Sequence, residues 1–302
     1  MAGDADSTSS VTEDGFGARS IVLDPEHGRV ERLDLTPVLA SPASEQAIRH
    51  RAAFHTTLPD NPLGRVVRIT RRAGTLSLFS AAPGGVPLSE LLAALEFKTI
   101  TLSGEELLEV ASAIVEALAA MHKRMPIAHG ALTPAHITLR PDGTAVLTHA
   151  VFVDALQALQ RSREHLWRDF GIAMPTSATT PRFDHRGDVT QLGAVVLAIT
   201  HRRSLRRDEY PKHTQEMAMS VSITGTQATD AKLRAWLQDA LQLHGRVSFA
   251  SAVDAARAFR DVLPPPADRA LEALALQAAI RQLCGDLPSS TASRVLPHQR
   301  AS

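Results

Sequence analysis

Residues 128–151 read AHGALTPAHITLRPDGTAVLTHAV, and two runs within them, HITL from His136 and AVLT from Ala145, have the β-branched and apolar make-up of short strands. Between them stands Arg140-Pro141-Asp142-Gly143, whose proline and glycine supply the dihedral angles of a tight hairpin turn. Upstream, Ser103-x-x-Glu106 is a capping box, and Leu107, Leu108, Ala111, Ile114, Val115 and Leu118 recur at helical spacing. The order is a long helix with one buried face, a loop that begins at His129, and a hairpin.

Outward from this stretch the chain divides in two. Residues 1–16 are rich in Ser, Asp and Gly with little to bury, and are expected to form a disordered leader. RSIVLD and RVERLDL flank Pro25-Glu26-His27-Gly28 as a hairpin. Ser41-Pro42 opens a helix over 42–55, and RVVRIT and TLSLFS around Arg71-Arg72-Ala73-Gly74 make a second hairpin. Residues 17–84 thus read as a small β-rich unit with one helix, ending at the hinge-like Pro83-Gly84-Gly85.

Residues 85–263 read as a larger, mainly helical unit. It holds a short helix over 88–95, the nearly all-apolar GDVTQLGAVVLAITH from Gly187, and amphipathic helices over 231–243 and 248–263. Pro264-Pro265-Pro266 ends it. A further amphipathic helix over 267–284 carries an apolar face of Leu271, Leu274, Ala275 and Ala278, suited to folding back on the large unit or to forming an oligomer. Residues 286–302 are expected to be disordered. No repeat of fixed period occurs.

At 302 residues and 44% hydrophobic content, the chain can bury a substantial globular core. Lysine plus arginine equals aspartate plus glutamate at 32 each, which argues against a nucleic-acid binder. The single cysteine, Cys284, excludes an intrachain disulfide and suits a reducing cytoplasm. The polar, acidic start lacks signal-peptide character, and no apolar run approaches the roughly 20 residues of a membrane span. Abundant arginine and alanine suggest a bacterial chain from a GC-rich genome.

His129-Gly130-Ala131-Leu132-Thr133-Pro134-Ala135-His136-Ile137 resembles the H-R-D-L-K-P-E-N-I catalytic loop of eukaryotic-like protein kinases, with His129, Leu132, Pro134 and Ile137 in order and spacing. Gly187-Asp188-Val189 with Leu192-Gly193 resembles the family's D-V-x-x-L-G helix, and Leu241 to Arg246 its closing motif. The resemblance spans about residues 19–263. It implies an α+β, bilobal protein-kinase-like fold, with a β-rich N-lobe carrying one helix and a larger helical C-lobe. It also makes His129, Leu132, Pro134, Ile137, Asp188, Gly193 and Arg246 structural residues.

Phosphoryl transfer in that family rests on positioned charges, and each can be sought separately. No lysine precedes Lys98, so the small lobe has none to hold phosphates. Ala131 stands where the resemblance places the catalytic aspartate, Thr133 where it places the loop lysine, and His136 where it places a metal-binding asparagine. His149-Ala150-Val151 takes the place of the metal-binding D-F-G. Asp169-Phe170-Gly171 spells that tripeptide but lies well past the hairpin, after a helical-looking run over 155–167. It reads as a loop packing Trp167 and Phe170 on the large lobe. Gly15-Phe16-Gly17 is a weak counterpart of a glycine-rich loop.

His129, His136 and His149 could converge and suit Zn²⁺, but the first histidine of this loop is structural in the resembled family and a strand histidine often just hydrogen-bonds backbone, so the structural reading is preferred and no metal is assigned. The basic run from His201 to Arg207 reads as a solvated loop after a helix, or as a docking patch for an acidic partner. The expected function is a catalytically inactive kinase-like module that binds, regulates or scaffolds protein partners, a kinase or other signalling protein among them. No cofactor is expected, with residual ATP binding left open. The alternatives are an atypical active Ser/Thr kinase or nucleotide-binding protein using His149 or Asp154, and an unrelated helical adaptor.

Overall fold

The computed structural model describes residues 11–56, 63–176, 180–243, 249–265 and 269–286. In the small lobe the chain runs β1 (Thr12–Glu13), β2 (Gly17–Asp24), β3 (Gly28–Leu35), α1 (Pro42–Thr56), β4 (Val66–Arg72) and β5 (Thr75–Ala81). The large lobe follows with β6 (Val86–Pro87), α2 (Leu88–Glu96), α3 (Gly104–Arg124), β7 (Ile137–Leu139), β8 (Ala145–Leu147), α4 (Val153–Ala158) and α5 (Arg163–Phe170). It ends with α6 (His185–Thr200), α7 (Thr214–Met219), α8 (Gln227–Ala240), α9 (Ala252–Phe259) and α10 (Ala270–Asp286).

The five small-lobe strands form an antiparallel sheet ordered β1-β2-β3-β5-β4. Its register sets the chemistry of the cleft. Arg19 on β2 lies opposite Leu33 on β3, and Ile21 opposite Glu31. Opposed residues share a face and side chains alternate along a strand, so Arg19 and Glu31 stand on the same inner face as Leu33 and Leu35. After Pro83-Gly84-Gly85 the chain enters β6, which pairs with β7, and β7 pairs with β8. The hinge segment therefore joins directly to the hairpin that the sequence singled out.

Helix α3 begins as its capping box requires: Ser103 Oγ accepts from the Glu106 amide at 3.0 Å, and the Glu106 carboxylate accepts from the Ser103 amide. Helix α6 is buried from Gly187 to Thr200 and runs through the large-lobe core, as a helix apolar on every side must. Gly193 lies where α6 meets the end of α8; a Cβ there would sit 2.9 Å from Leu241 Cγ. A second apolar cluster does not stay in the small lobe. Phe16, Leu33, Leu35, Ile48, Leu76 and Leu78 continue into Ala131, Val151, Phe152, Leu156, Leu166 and Phe170.

Five expectations need correction. The leader does not extend to residue 16: Thr12–Glu13 pairs with β2, and Phe16 is 1% exposed. The composition of a short window hid a single deeply buried ring. The run over 155–167 is two helices, broken where Gln160 takes a positive φ of 47°. Asp169 and Phe170 are not loop; they end α5, which Gly171 caps in the left-handed conformation.

Helix α10 folds back on the large lobe, but it buries Leu276 and Ile280 and leaves Leu271 and Leu274 exposed. The helix is apolar on several sides, so spacing alone could not choose the face. The ion pair of Arg269 with Glu109 on α3 fixes the rotation. Helices α8 and α9 also begin four residues away from their expected starts, at Gln227 and Ala252. Arg246, residues 1–10 of the leader and residues 287–302 of the tail lie outside the described residues.

Candidate functional site

Asp188, one turn into α6 and fully buried, organises the loop from His129 to His136. Its Oδ2 accepts the His129 amide at 2.7 Å and its Oδ1 the Gly130 amide at 2.8 Å. His122 on α3 accepts the Ala252 amide at Nδ1 (3.0 Å), so its proton sits on Nε2, which donates to Asp188 Oδ2 at 2.9 Å. Gln191, one turn further along α6, accepts the Leu132 amide at 2.7 Å. Three otherwise orphaned amides and one imidazole N–H thus end on one helix, which locks the loop to the large-lobe core.

The loop residues are held tightly. Gly130 has a φ of 73°, and a Cβ on it would lie 2.4 Å from Val153 Cγ2, so no side chain fits where the kinase pattern has arginine. His129, Ala131, Leu132, Thr133 and Ile137 are buried, and Pro134 opens a 3-10 turn whose His136 amide donates to Thr133 O at 2.9 Å. Burial pulls the His129 imidazole down to about 4. At the hairpin's end His149 adopts a left-handed φ of 65°, and Ala150 and Val151 are buried in the turn that follows.

His136 and His149 come together, with ring centroids 4.7 Å apart, and both meet the small lobe. The Nδ1–H of His136 donates to Ala131 O at 2.6 Å. Its Nε2 lies 2.6 Å from Arg19 Nη2, and a guanidinium only donates, so Nε2 is the acceptor and the ring is neutral. Burial, then the Arg19 charge and His149, keep its pKa well below the ordinary imidazole value.

The same Arg19 holds Asp14 Oδ2 at 2.7 Å and Glu31 Oε1 at 3.2 Å. His149 accepts or donates at Nδ1 with Thr148 Oγ1 (2.8 Å), and its Nε2 lies 3.0 Å from Glu31 Oε1, too oblique for a well-formed hydrogen bond. Burial would raise the Glu31 carboxyl, but His149 and Arg19 outweigh it and hold it at about 2.

Phe16 completes the closure. Its ring packs on His136 (4.4 Å), Phe152 (5.1 Å) and Phe170 (5.3 Å). The turn that carries it lies against the large lobe so closely that a Cβ on Gly15 would sit 1.7 Å from Asp169 O. Ring and ion pairs together fill the space between the β1–β2 turn and the loop.

Asp154, a candidate ligand in the active-kinase alternative, is engaged elsewhere. Arg51 on α1 grips both of its oxygens, Nη2 to Oδ1 at 2.6 Å and Nε to Oδ2 at 3.0 Å, and so ties α1 to α4. Asp169 pairs with its neighbour Arg168 at 2.9 Å. Among the described residues no group of three or more His, Cys, Asp or Glu side chains is placed to hold a metal. In the basic run, Arg203 bonds Glu209 and Arg202 bonds Leu102 O, so two of its cations serve the fold.

Two open surface depressions, of about 500 and 590 Å³, lie outside the closed region. Arg51, Ile127, Phe183 and His185 line the first, and Pro42, Glu45 and Arg49 the second. Sequence reasoning missed Asp14, Phe16, Arg19, Glu31 and Arg51. For Glu31 a signal existed: in RVERLDL it shares the alternation of Leu33 and Leu35, which places a carboxylate on a buried face.

A five-stranded sheet with one helix, a hinge, and a helical lobe built around this loop define a bilobal protein-kinase-like fold. Among solved structures the chain is similar to the PknI kinase domain of Mycobacterium tuberculosis. That domain aligns over 87% of this chain and 100% of its own length, at 18% identity and a TM-score of 0.57. A double variant of the same domain aligns over 87% and 99% at 17% identity, with a TM-score of 0.61. Identity this low speaks to the fold alone. No protein-family model matches the sequence. No curated protein matches it either. The unrelated helical adaptor is excluded by the small-lobe sheet. Among the described residues, no helix is long and apolar enough to cross a membrane.

Proposed function

We propose that this chain is a pseudokinase: a kinase-like domain that transfers no phosphate and acts in the cytoplasm as a binding, regulatory or scaffolding module for protein partners, a kinase or another signalling protein among them. The observation that carries the reading is the pair His136 and His149. They occupy the two positions that the kinase resemblance gives to metal ligands; His136 Nε2 is taken by Arg19 of the opposite lobe, and His149 Nε2 faces Glu31 there at 3.0 Å. Mg²⁺ takes oxygen ligands in near-octahedral array, which two imidazoles committed to an internal network do not supply.

The rest of the site supports the same reading. Ala131 can accept no proton from a substrate hydroxyl, and no lysine precedes Lys98. Phe16 and the guanidinium of Arg19 stand between the lobes where phosphates would need donors. The residues present do not fit a magnesium nucleotide. Losing several charges that act together removes most of the rate such sites provide.

The test is a phosphoryl-transfer assay with γ-labelled ATP, with Mg²⁺ or Mn²⁺, and with generic protein substrates. The expected result is no label on the chain or the substrates above a heat-treated control. Label that rises with time and disappears in a His149→Ala variant would overturn the proposal.

A further inference from the structure

His136 has a property that its surroundings make consequential. Both ring nitrogens are committed in opposite senses: Nδ1–H donates to Ala131 O, and Nε2 accepts from Arg19 at 2.6 Å. A proton arriving at Nε2 would set two donors and two positive charges face to face in a fully buried place.

The groups that face the ring are Arg19 from β2, Asp14 from the β1–β2 turn, Glu31 from β3, and His149 after β8. His129, beside it in the loop, has Asp188 and His55 of α1 near it. The two carboxylates of this set nearest the ring, Asp14 and Glu31, are already engaged by Arg19. Among the described residues the partner at Nε2 is the Arg19 guanidinium, a donor, so the proton arrives where no acceptor faces it and relief must come from separation.

The part that can separate is small. Beyond Arg19, the β1–β2 turn is held to the large lobe by the Phe16 ring on Phe152 and Phe170 and by the fit of Gly15 against Asp169. β1 is two residues long and pairs only with Arg19 and Ala18. Releasing it leaves α3, α6 and the large-lobe cluster intact.

We propose that the interlobe contact is a proton-operated latch: protonation of His136 expels Arg19, and the turn carrying Asp14 and Phe16 lifts off the large lobe while both cores stay folded. This rests on the reading of the cleft as closed by the chain itself. Neutral conditions keep the module shut and acid opens it.

Hydrogen exchange of the full chain, followed by mass spectrometry from about pH 7 to about pH 4.5 and normalised to intrinsic rates, tests the latch. In the open state His136 titrates near its ordinary value, about 6.5, so each pH unit below that favours opening about tenfold. Protection over residues 12–19, the turn and its β1 pairs, is expected to fall about tenfold per unit and to lie below that of α3 and α6, whose amides exchange only through unfolding of the whole chain. In His136→Gln the amide oxygen can accept from Arg19 and the amide N–H can donate to Ala131 O, but nothing titrates, and the local slope should shrink by that tenfold per unit.

Protection over 12–19 that does not fall with acid, or that equals that of α3 and α6 throughout, would overturn the latch, whether or not the variant folds. So would an unchanged slope in a folded variant. Mg-ATP added at neutral pH is a separate arm: protection gained there would overturn the closed-cleft reading on its own.

Discussion

Arg19→Met keeps most of the length and apolar stem of the side chain while removing the guanidinium that joins three groups. The side chain is 10% exposed, and its loss strands Glu31 beside His149, Asp14 at the turn, and the acceptor nitrogen of His136. Breaking a buried ion pair by removing one partner costs about 3–5 kcal/mol. Asp14 keeps access to water, which softens the loss, and an expected destabilisation of about 3 kcal/mol at neutral pH follows.

Two further variants sharpen this expectation. Arg19→Lys offers one point charge instead of a fork and cannot span three partners, so it should cost about half as much. Adding Glu31→Gln to Arg19→Met should restore about 1–2 kcal/mol, because the stranded charge goes with it. Urea unfolding of the full-length chain and its variants reads all three. A loss below about 0.5 kcal/mol for Arg19→Met, or strict additivity of the pair, would refute the claim that these residues act as one network.

Three further expectations follow from the site. Ala131→Asp restores the acid of the catalytic-loop pattern, yet it buries a carboxyl beside Val151 and Phe152; it should destabilise by about 2 kcal/mol or more and yield no phosphoryl transfer in the labelled-ATP assay. Asp188→Asn removes the charge that gathers two amides and the His122 N–H, at a cost of about 2–4 kcal/mol in urea unfolding.

Stability should also fall with acid. His129 is neutral in the fold with its value at about 4 against about 6.5 unfolded, so the unfolded chain takes the proton first as pH drops from about 6.5 to about 4. This contributes a loss of about 3 kcal/mol. Glu31, held at about 2, adds a second loss between about pH 4.5 and 2. A flat stability curve from pH 7 to 4 would contradict the His129 assignment, and one flat from about pH 4.5 to 2 the Glu31 assignment.

The local parts of this fold were legible in the sequence because local rules decide them. The turn at Pro141 to Gly143, the capping box at Ser103 and the all-apolar α6 each follow from residue type at fixed spacing. The absence of lysine before Lys98 was equally plain. What closes the cleft was not legible. Arg19 and His136 are 117 positions apart, and their meeting depends on the β2–β3 register and on where the small lobe settles. Phe16 was obscured because two glycines and a polar leader surround it, and Asp169-Phe170-Gly171, set aside as a metal motif, ends a helix rather than forming the loop its glycine suggests. Helix α10 showed its apolar character but not the face it buries, since the Arg269–Glu109 pair that turns it is a long-range contact.

The central claim, that the chain fills its own cleft and holds no magnesium nucleotide, is tested most directly by a thermal melt at neutral pH with millimolar ATP, with and without Mg²⁺. A ligand at a hundredfold over its Kd would stabilise the native state by about 2.7 kcal/mol, which raises the melting temperature of a chain this size by several degrees. The account expects no shift beyond the scatter of replicate melts. A reproducible, Mg²⁺-dependent rise of several degrees would contradict it.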